Sequence, residues 1–437
     1  MKKYFGFLRK GIFLLSMLLV ATSLTLSGCG SDSYDTPKTT DNTPVVGAAT
    51  NVLIEPATLK GWIDQGLVNA DSGFSNRVVI LEYGSSGDRI PGAGRVGTND
   101  LRGTRLDGLA PAGSLVATGE QIDAVIQKLG IDDKTTIVFV TSGSMYLETR
   151  AYWTFRYWGF SKDRLKVLDG GYKAWQAAGY ELTADEPTLT PSTYSVKDIG
   201  TLNGDLRVSI GDLIAKLASS AVNGTDYLTI DARGAADPSG YNGTAATSSL
   251  ITGFVVFEGH PAGGAALSQG TLFNADGTFK TADEIKALFE AQGWTAGMPV
   301  ITYCTSGYSC TPLFFALEAI LGSPVQVFDG SWSTAGQYAA IATDADANGI
   351  DDVTGAVLPA GSAWDLSQYV DSLGYNVNNG KTLADIYITP YSQDLERWYQ
   401  PGAAETNQVE AADQAYISSG GQTAPPTSVG GGGDVGC

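Results

Sequence analysis

An internal repeat constrains the fold of this chain more than any other feature. Thr141 follows an apolar run in the first copy and lies 18 positions before Gly159, while Cys304 follows an apolar run in the second copy and lies 18 positions before Gly322. The stretch between the members of each pair has helical character. Strands that alternate with helices predict an α/β fold with a mostly parallel sheet, whose functional loops lie at the carboxyl ends of the strands. A repeat unit of well over a hundred residues predicts duplicated domains rather than a solenoid.

The apolar runs of the two copies correspond in order. They are residues 78–84, 137–140 and 167–175 in the first copy and residues 227–233, 299–303 and 325–332 in the second. The last run of each copy contains an Asp-Gly pair, at Asp169 and at Asp329. Thr141 therefore occupies in the first copy the position that Cys304 occupies in the second.

Cys304 is the candidate reactive residue. It comes directly after the β-rich run 300–303 and before a helical stretch that begins at Thr311, so its thiol is expected at the end of a strand, facing a helix N-terminus. Backbone N–H groups and the helix dipole stabilise an anion at such a position and lower the pKa of a thiol, whose thiolate is the reactive form. The chain has only four cysteines, and the first copy has none.

Residues 1–28 have the pattern of a secretory leader, with four cations before an apolar stretch too short for a stable spanning helix. Leu26-Ser27-Gly28-Cys29 resembles a bacterial lipoprotein cleavage site, which implies lipidation of Cys29; an ordinary leader with a chance cysteine is the alternative. By resemblance to Gram-negative lipoproteins, Gly30 favours the outer membrane. Residues 29–50 are predicted to form a flexible tether. We therefore expect a lipid-anchored protein of the cell envelope, facing the periplasm or the cell exterior.

The charge of the chain limits its partners. The formal charge of −19 becomes −23 once the four cations of the leader are removed. This balance argues against nucleic acid as a partner and against electrostatic docking on anionic lipid. With Cys29 lipidated, three thiols remain, which favours a reactive site over a disulfide framework.

Several motifs resemble the tandem form of the rhodanese sulfurtransferase superfamily. They are Ile90-Pro91-Gly92-Ala93, Leu168-Asp169-Gly170-Gly171 with Ala174, Trp175 and Gly179, Asp231-Ala232-Arg233, Gly259-His260-Pro261 and the loop that begins at Cys304. The resemblance covers roughly residues 51–369. It implies an α/β fold of two tandem rhodanese-like domains, each a central mostly parallel sheet flanked by helices, in which the first domain is inert and the second carries the cysteine.

The predicted organisation follows from the leader, the repeat and the composition. It consists of a leader at 1–28, a tether at 29–50, an inactive domain at 51–190, a catalytic domain at 191–370 with an acidic insertion at 343–355, an extension at 371–418 and a disordered tail at 419–437.

The resemblance implies sulfane-sulfur transfer through a persulfide on Cys304, with no required cofactor. The persulfide would lie in a cradle formed by Thr305, Ser306, Gly307, Tyr308 and Ser309. Gly307 permits the tight curvature, and the hydroxyl groups add hydrogen-bond donors. Phosphatases of related fold carry an arginine six positions after the cysteine; Cys310 stands there, which disfavours phosphate chemistry.

The sulfur donor stays open between thiosulfate, 3-mercaptopyruvate and polysulfide. Thiosulfate-specific relatives resemble one another in having basic residues just after the cysteine, where this chain has Thr305 and Ser306. Gly240 and Asn242 occupy positions at which basic residues are common in the family, and no Lys or Arg lies between Arg233 and His260. The acceptor is expected to be a thiol or another protein.

Four further residues are candidate modulators of the site. Asp231 is expected to brace Arg233 or the loop backbone rather than to act as a base. His260 is expected to serve the fold or the edge of the site, with direct proton transfer as the less favoured role. Cys310 is either a resolving or protective thiol for Cys304 or a small apolar helix residue.

The acidic insertion resembles a calcium loop. Its candidate ligands are Asp344, Asp346, Asn348, Ile350 and Asp352, although the twelfth position has Gly355 in place of Glu. Bound Ca²⁺ would be a structural stabiliser; an acidic turn without metal is the alternative. The extension has helical and turn character and is expected to pack on the second domain. Cys437 ends a Gly-rich tail to which we assign no role.

Three functions fit these patterns. The first is a membrane-tethered sulfurtransferase with Cys304 as the nucleophile. The second is a non-catalytic lipoprotein that carries sulfur or binds a redox partner, since fold alone does not establish activity. The third, a thiol–disulfide or oxyanion reductase that uses Cys304 and Cys310, is weaker because a Cys-x-x-Cys pair is absent.

Overall fold

The computed structural model describes residues 51–71, 77–84, 86–107, 110–218, 227–234, 260–261, 264–338 and 407–419. All of them belong to one compact unit, Val46–Cys437. We refer to residues 51–190 as the N-terminal half and to residues 191–338 as the C-terminal half.

The N-terminal half contains a five-stranded parallel sheet and an antiparallel hairpin. Its strands are β1 (Leu53–Ile54), β2 (Val78–Tyr83), β3 (Gly94–Val96), β4 (Arg102–Asp107), β5 (Ala110–Val116), β6 (Thr136–Val140) and β7 (Leu165–Leu168). The sheet has the order β1-β7-β6-β2-β3, and β4 pairs with β5 in the hairpin.

The C-terminal half contains a second parallel sheet. Its strands are β8 (Arg207–Val208), β9 (Leu228–Asp231), β10 (Ala265–Ala266), β11 (Val300–Tyr303) and β12 (Val325–Phe328). Their order is β8-β12-β11-β9-β10, which matches the first sheet strand for strand. As a result β6 and β11, the strands that precede Thr141 and Cys304, are both central.

Ten α-helices surround the sheets within the described ranges. They are α1 (Pro56–Asp64), α2 (Gly119–Lys128), α3 (Tyr146–Tyr157), α4 (Gly171–Ala177), α5 (Val196–Ile199), α6 (Ile210–Ala218), α7 (Ala282–Glu290), α8 (Thr311–Phe315), α9 (Ser331–Tyr338) and α10 (Gln408–Ser418). The chain continues from α8 into a π-helical turn, Ala316–Ile320.

Local sequence explains most of these elements. All residues of β2 and β11 are buried, as expected for central parallel strands covered on both faces. Thr118 and Gln121 form a capping box at the start of α2, and Thr281 and Glu284 form one at the start of α7. The predicted helical run after Thr141 is observed as α3.

Helix α3 joins the cores of the two halves. The Tyr152 ring on α3 meets the Phe315 ring on α8 edge to face at 5.0 Å, and Phe315 in turn lies 5.2 Å from the Phe279 ring. One hydrophobic cluster contains residues from both sheets. The two halves therefore bury apolar surface against each other, which is the dominant favourable term in such packing.

Helix α10 packs mainly on the N-terminal half. Asp413 accepts hydrogen bonds from both terminal nitrogens of Arg105, at 2.8 and 2.7 Å, and from the Tyr157 hydroxyl at 2.7 Å. Glu410 accepts a bond from Arg207 on β8 at 2.8 Å. The Lys197 ammonium also lies 4.1 Å from the centre of the Tyr416 ring of α10. The expectation that the extension packs on the second domain thus holds in part.

The predicted fold class, α/β with parallel sheets flanked by helices, is confirmed. The two equivalent sheets are consistent with tandem domains, but the domain boundaries stay a prediction. None of the helices in the described part of the chain is both long enough and apolar enough to cross a membrane.

Candidate active site at the cysteine loop

Cys304 lies at the carboxyl end of the central strand β11. The residues from Cys304 to Cys310 form a loop, called here the cysteine loop, and α8 starts directly after it. Cys304 is only 2% exposed and Cys310 is fully buried, and both are free thiols. Of the predicted cradle, Thr305, Ser306 and Ser309 are half-buried, whereas Gly307 and Tyr308 are buried.

The thiol of Cys304 is activated by direct hydrogen bonds. Burial raises its pKa, but hydrogen bonds from the Cys310 thiol and from the N–H groups of Ser306 and Cys310 outweigh burial and lower the pKa to about 6. These three hydrogen bonds are the interactions that favour the charged form of Cys304. The loop therefore favours the thiolate, which is the nucleophilic form.

Cys310 serves as a hydrogen-bond donor to Cys304. Burial and the bond to Cys304 raise the pKa of the Cys310 thiol well above its ordinary value. Cys310 therefore keeps its proton at neutral pH while Cys304 loses its own. The geometry supports a modulating role for Cys310; its action as a resolving thiol stays a prediction.

Ser331 completes the surroundings of Cys304, and the sequence analysis missed it. Its Oγ accepts a hydrogen bond from the Cys304 N–H at 3.1 Å and lies 4.0 Å from Cys304 Sγ. Ser331 has φ +49°, the left-handed region that few non-glycine residues occupy. Gly171, its counterpart in the repeat, has φ +53°. The feature that could have pointed to Ser331 is its alignment with a glycine of the other copy, which is left-handed.

Asp231 and Arg233 form a buried ion pair close to Trp332. Arg233 Nη2 lies 2.6 Å from Asp231 Oδ2, and the Arg233 guanidinium lies 5.3 Å from the centre of the Trp332 ring. The predicted bracing of Arg233 by Asp231 is observed. Arg233 thus has a carboxylate partner within the fold, which weakens it as a clamp for an anionic substrate.

The first copy closes the equivalent loop with its own side chains. The Thr141 N–H donates to Glu148 Oε1 at 2.7 Å, and Thr141 Oγ1 accepts the Gly143 N–H at 3.0 Å. Burial raises the pKa of Glu148 well above its ordinary value. A protein carboxyl group and a hydroxyl therefore stand where the second copy has a thiolate.

The remaining predicted site residues are only partly placed. His260 is buried, but residues 235–259 before it lie outside the described residues. Cys29, Cys437 and the calcium candidates Asp344, Asp346, Asn348, Ile350 and Asp352 also lie outside them. Lipidation and calcium binding stay predictions.

A separate cavity of about 440 Å³ is lined by residues of the N-terminal half and by the first residues of the C-terminal half. It is lined by Arg77, Asp132, Tyr194 and neighbouring residues, and none of its lining residues belongs to the cysteine loop. Three carboxylates, from Asp71, Asp132 and Asp198, line it. The cavity is therefore not part of the chemistry at Cys304.

The chain is similar to several known proteins. A family model described as rhodanese-like domain matches residues 82–178. The sulfur carrier protein TtuD of Thermus thermophilus is 27% identical over 224 residues, which cover 51% of this chain and 75% of that protein. A protein of Saccharopolyspora erythraea, provisionally named a thiosulfate sulfurtransferase, is 26% identical over 284 residues, which cover 64% of this chain and 92% of that protein.

A solved structure shows the same fold. It is that of SseA from Escherichia coli, described under the rhodanese fold and catalytic mechanism of 3-mercaptopyruvate sulfotransferases, with a TM-score of 0.50, 21% identity and coverage of 64% of this chain and 99% of that chain. The protein thus has a rhodanese fold, and the comparisons support the rhodanese superfamily. At this low identity they also support the general class of sulfurtransferases.

Proposed function

We propose that this protein is a sulfurtransferase that moves sulfane sulfur through a persulfide on Cys304. The observation that carries the proposal is the buried Cys304 thiol, whose pKa is lowered to about 6 inside a loop that directs backbone N–H groups at it. Such a group is both a nucleophile and a holder of a second charged sulfur atom. The names of the relatives support the same chemistry.

The reaction has two displacement steps. The Cys304 thiolate attacks the outer sulfur of the donor, a new S–S bond forms, and the donor leaves with the electron pair of its broken bond. The persulfide anion then lies in the loop, where N–H donors stabilise its charge. A thiolate acceptor attacks the outer sulfur, takes it, and returns Cys304 to the thiolate.

The donor proposed is singly charged, 3-mercaptopyruvate or a monoprotonated polysulfide, before thiosulfate, which is a dianion. Thr305 and Ser306 are neutral, Arg233 is paired with Asp231, and no Lys or Arg occurs between Arg233 and His260. A doubly charged donor would meet little positive charge to offset its loss of hydration. Anchoring to the cell envelope through Cys29 is part of this proposal.

A donor screen on the full chain in detergent tests the proposal. Thiosulfate, 3-mercaptopyruvate and polysulfide are offered separately, and the mass of the intact protein is recorded. We expect a gain of one sulfur atom from at least one donor in the wild type and none in Cys304→Ser. If no donor adds sulfur to the wild type, the enzyme proposal is wrong.

The second candidate is a non-catalytic sulfur carrier. The neutral loop and the resemblance to a protein named as a sulfur carrier favour it. A carrier would accept one sulfur atom and release it only to a specific partner. An enzyme would consume many equivalents of donor in the presence of a small thiol, so sulfide release over time separates the two.

A further inference from the structure

Arg150 of the N-terminal half makes direct contact with the cysteine loop. It lies on α3 and is fully buried. Its Nη1 donates to the Gly307 carbonyl oxygen at 2.7 Å and to Asp329 Oδ1 at 2.7 Å, and its Nη2 donates to the Ser114 carbonyl oxygen at 2.9 Å. The planar guanidinium therefore holds three groups in fixed directions, whereas a lysine would offer three rotatable donors from a single nitrogen atom.

The backbone of Gly307 lies in close contact with Arg150 and Asp329. It has φ +81°, and a Cβ atom there would lie 2.3 Å from the Asp329 carbonyl oxygen and 3.0 Å from Arg150 Nη1. The backbone at the tip of the loop is thus pressed against Arg150 and Asp329. Only glycine fits this approach.

The next residue of the loop, Tyr308, is held by the same half. The Arg150 guanidinium lies 4.9 Å from the centre of the Tyr308 ring, a cation–π geometry, and the Tyr308 hydroxyl lies 2.9 Å from the hydroxyl of Tyr83 on β2. At the start of α8, Thr311 Oγ1 lies 2.8 Å from Thr149 Oγ1, one position before Arg150.

We infer that Arg150 is a positioning residue for the Cys304 chemistry, so that the half without a cysteine is part of the site. The Gly307 carbonyl that Arg150 holds belongs to a trans peptide, so this contact also fixes the plane of the Gly307–Tyr308 peptide. This peptide lies in the chain between Ser306 and Cys310, whose N–H groups donate to the Cys304 sulfur. The N-terminal half in this way sets the donors that receive the persulfide.

Arg150 also places a positive charge behind a loop that has none of its own. Burial and the neighbouring Cys304 raise the pKa of the Cys310 thiol, and the charge of Arg150 opposes them to a smaller extent, so its field reaches the loop. Asp329 shares part of this charge and is itself bonded by Arg207 at 3.2 Å. The arrangement favours a singly charged persulfide, and this inference rests on the proposed function.

The test measures alkylation of Cys304 by iodoacetamide across pH, which requires no sulfur donor. The variants are Arg150→Lys and Arg150→Met. The matched controls are Arg156→Lys and Arg156→Met, because Arg156 lies on the same helix and joins the two halves through Glu318 at 3.1 Å, away from the loop. Thermal unfolding of all four variants establishes that they are folded.

We expect the Cys304 alkylation rate at pH 6 to fall about fivefold in Arg150→Met, with the inflection of the profile about one pH unit higher. Arg150→Lys keeps the positive charge but loses the planar guanidinium with its paired donors, so the alkylation rate should fall about threefold. In both controls the alkylation rate should stay within about twofold of the wild-type rate. Folded Arg150 variants with the wild-type profile, or an equal fall in the Arg156 variants, would overturn the inference. If Arg150→Met does not fold, the alkylation profile of Arg150→Lys decides whether the inference holds. If no donor adds sulfur to the wild type, only the proposed function is overturned, because the alkylation of Cys304 requires no sulfur donor.

Discussion

At the level of single residues, the reactivity of Cys304 depends on three hydrogen-bond donors that gather around one sulfur atom. Two are backbone N–H groups, from Ser306 and Cys310, and the third is the Cys310 thiol. Each bond favours the charged form, and together they outweigh the burial that disfavours it. The result is a thiolate at neutral pH inside a buried loop.

This balance predicts the pH dependence of the site. With a pKa of about 6, the Cys304 alkylation rate should rise through pH 6 and level off near neutral pH, because only the thiolate reacts. The fold lowers this pKa below the ordinary thiol value, so the stability that the thiolate contributes is present at high pH and is lost as the pH falls through about 6. The rate is measured by mass spectrometry of the peptide that contains Cys304.

Substitution of Cys310 tests whether its hydrogen bond helps to lower the pKa of Cys304. Cys310→Ala removes one donor and should move the inflection towards higher pH, by about one unit. Cys310→Ser keeps a donor in the same place and should move it less. An unchanged inflection in Cys310→Ala would show that the backbone N–H groups alone set the pKa.

Sequence reasoning found Cys304, its loop and Cys310, because a strand, a cysteine and a helix follow one another directly in the chain. It missed Ser331 and Arg150, which lie 27 residues after and 154 residues before Cys304. Ser331 could have been found from its alignment with Gly171 in the repeat. Arg150 could not, because nothing in its helix indicates which carbonyl group it meets.

At the level of secondary structure, the strands that the apolar runs predicted are present. Residues 78–84 appear as β2 and residues 137–140 as β6, because buried parallel strands are apolar on both faces. The hairpin of β4 and β5 was not predicted. Its first strand, Arg102–Asp107, contains charged side chains, among them Arg105 and Asp107, whose partners come from α10 and β8.

Helix α10 is attached by buried charges, which makes it sensitive to one substitution. Asp413→Asn should lower the free energy of unfolding by about 2–4 kcal/mol, because Arg105 would keep its charge without a carboxylate partner. Urea unfolding measures the change. The exposed neighbour Gln414→Ala is the control and should stay within about 0.5 kcal/mol of wild type. Equal stability of Asp413→Asn and wild type would mean that α10 is not held by this pair.

At the level of the whole molecule, the two halves exchange equivalent contacts. The Val116 N–H of the N-terminal half donates to Asp329 at 2.7 Å, and the Phe279 N–H of the C-terminal half donates to Asp169 at 2.8 Å. Asp169 and Asp329 are the aspartates of the two Asp-Gly turns. Each copy of the repeat therefore completes the turn of the other.

These contacts predict cooperative unfolding. Buried ion pairs join the halves, Arg150 with Asp329 at 2.7 Å and Arg207 with Asp107 at 3.2 Å, and opening one half would leave charges buried without partners in the other. We expect one urea-unfolding transition, with the same midpoint by circular dichroism and by tryptophan fluorescence. Two separate midpoints would show that the halves unfold independently.

The amino-acid sequence by itself determined the α/β class, the repeat and the position of Cys304 at the end of a strand. All three are local, since they depend on apolar runs, on spacing and on residues that adjoin in the chain. The tertiary structure alone decided what surrounds that cysteine: the left-handed Ser331, the arginine of the other half behind Gly307, and the closed loop at Thr141. These depend on contacts between residues far apart in the chain, and a buried charge or carbonyl group shows its partner only once the chain has folded.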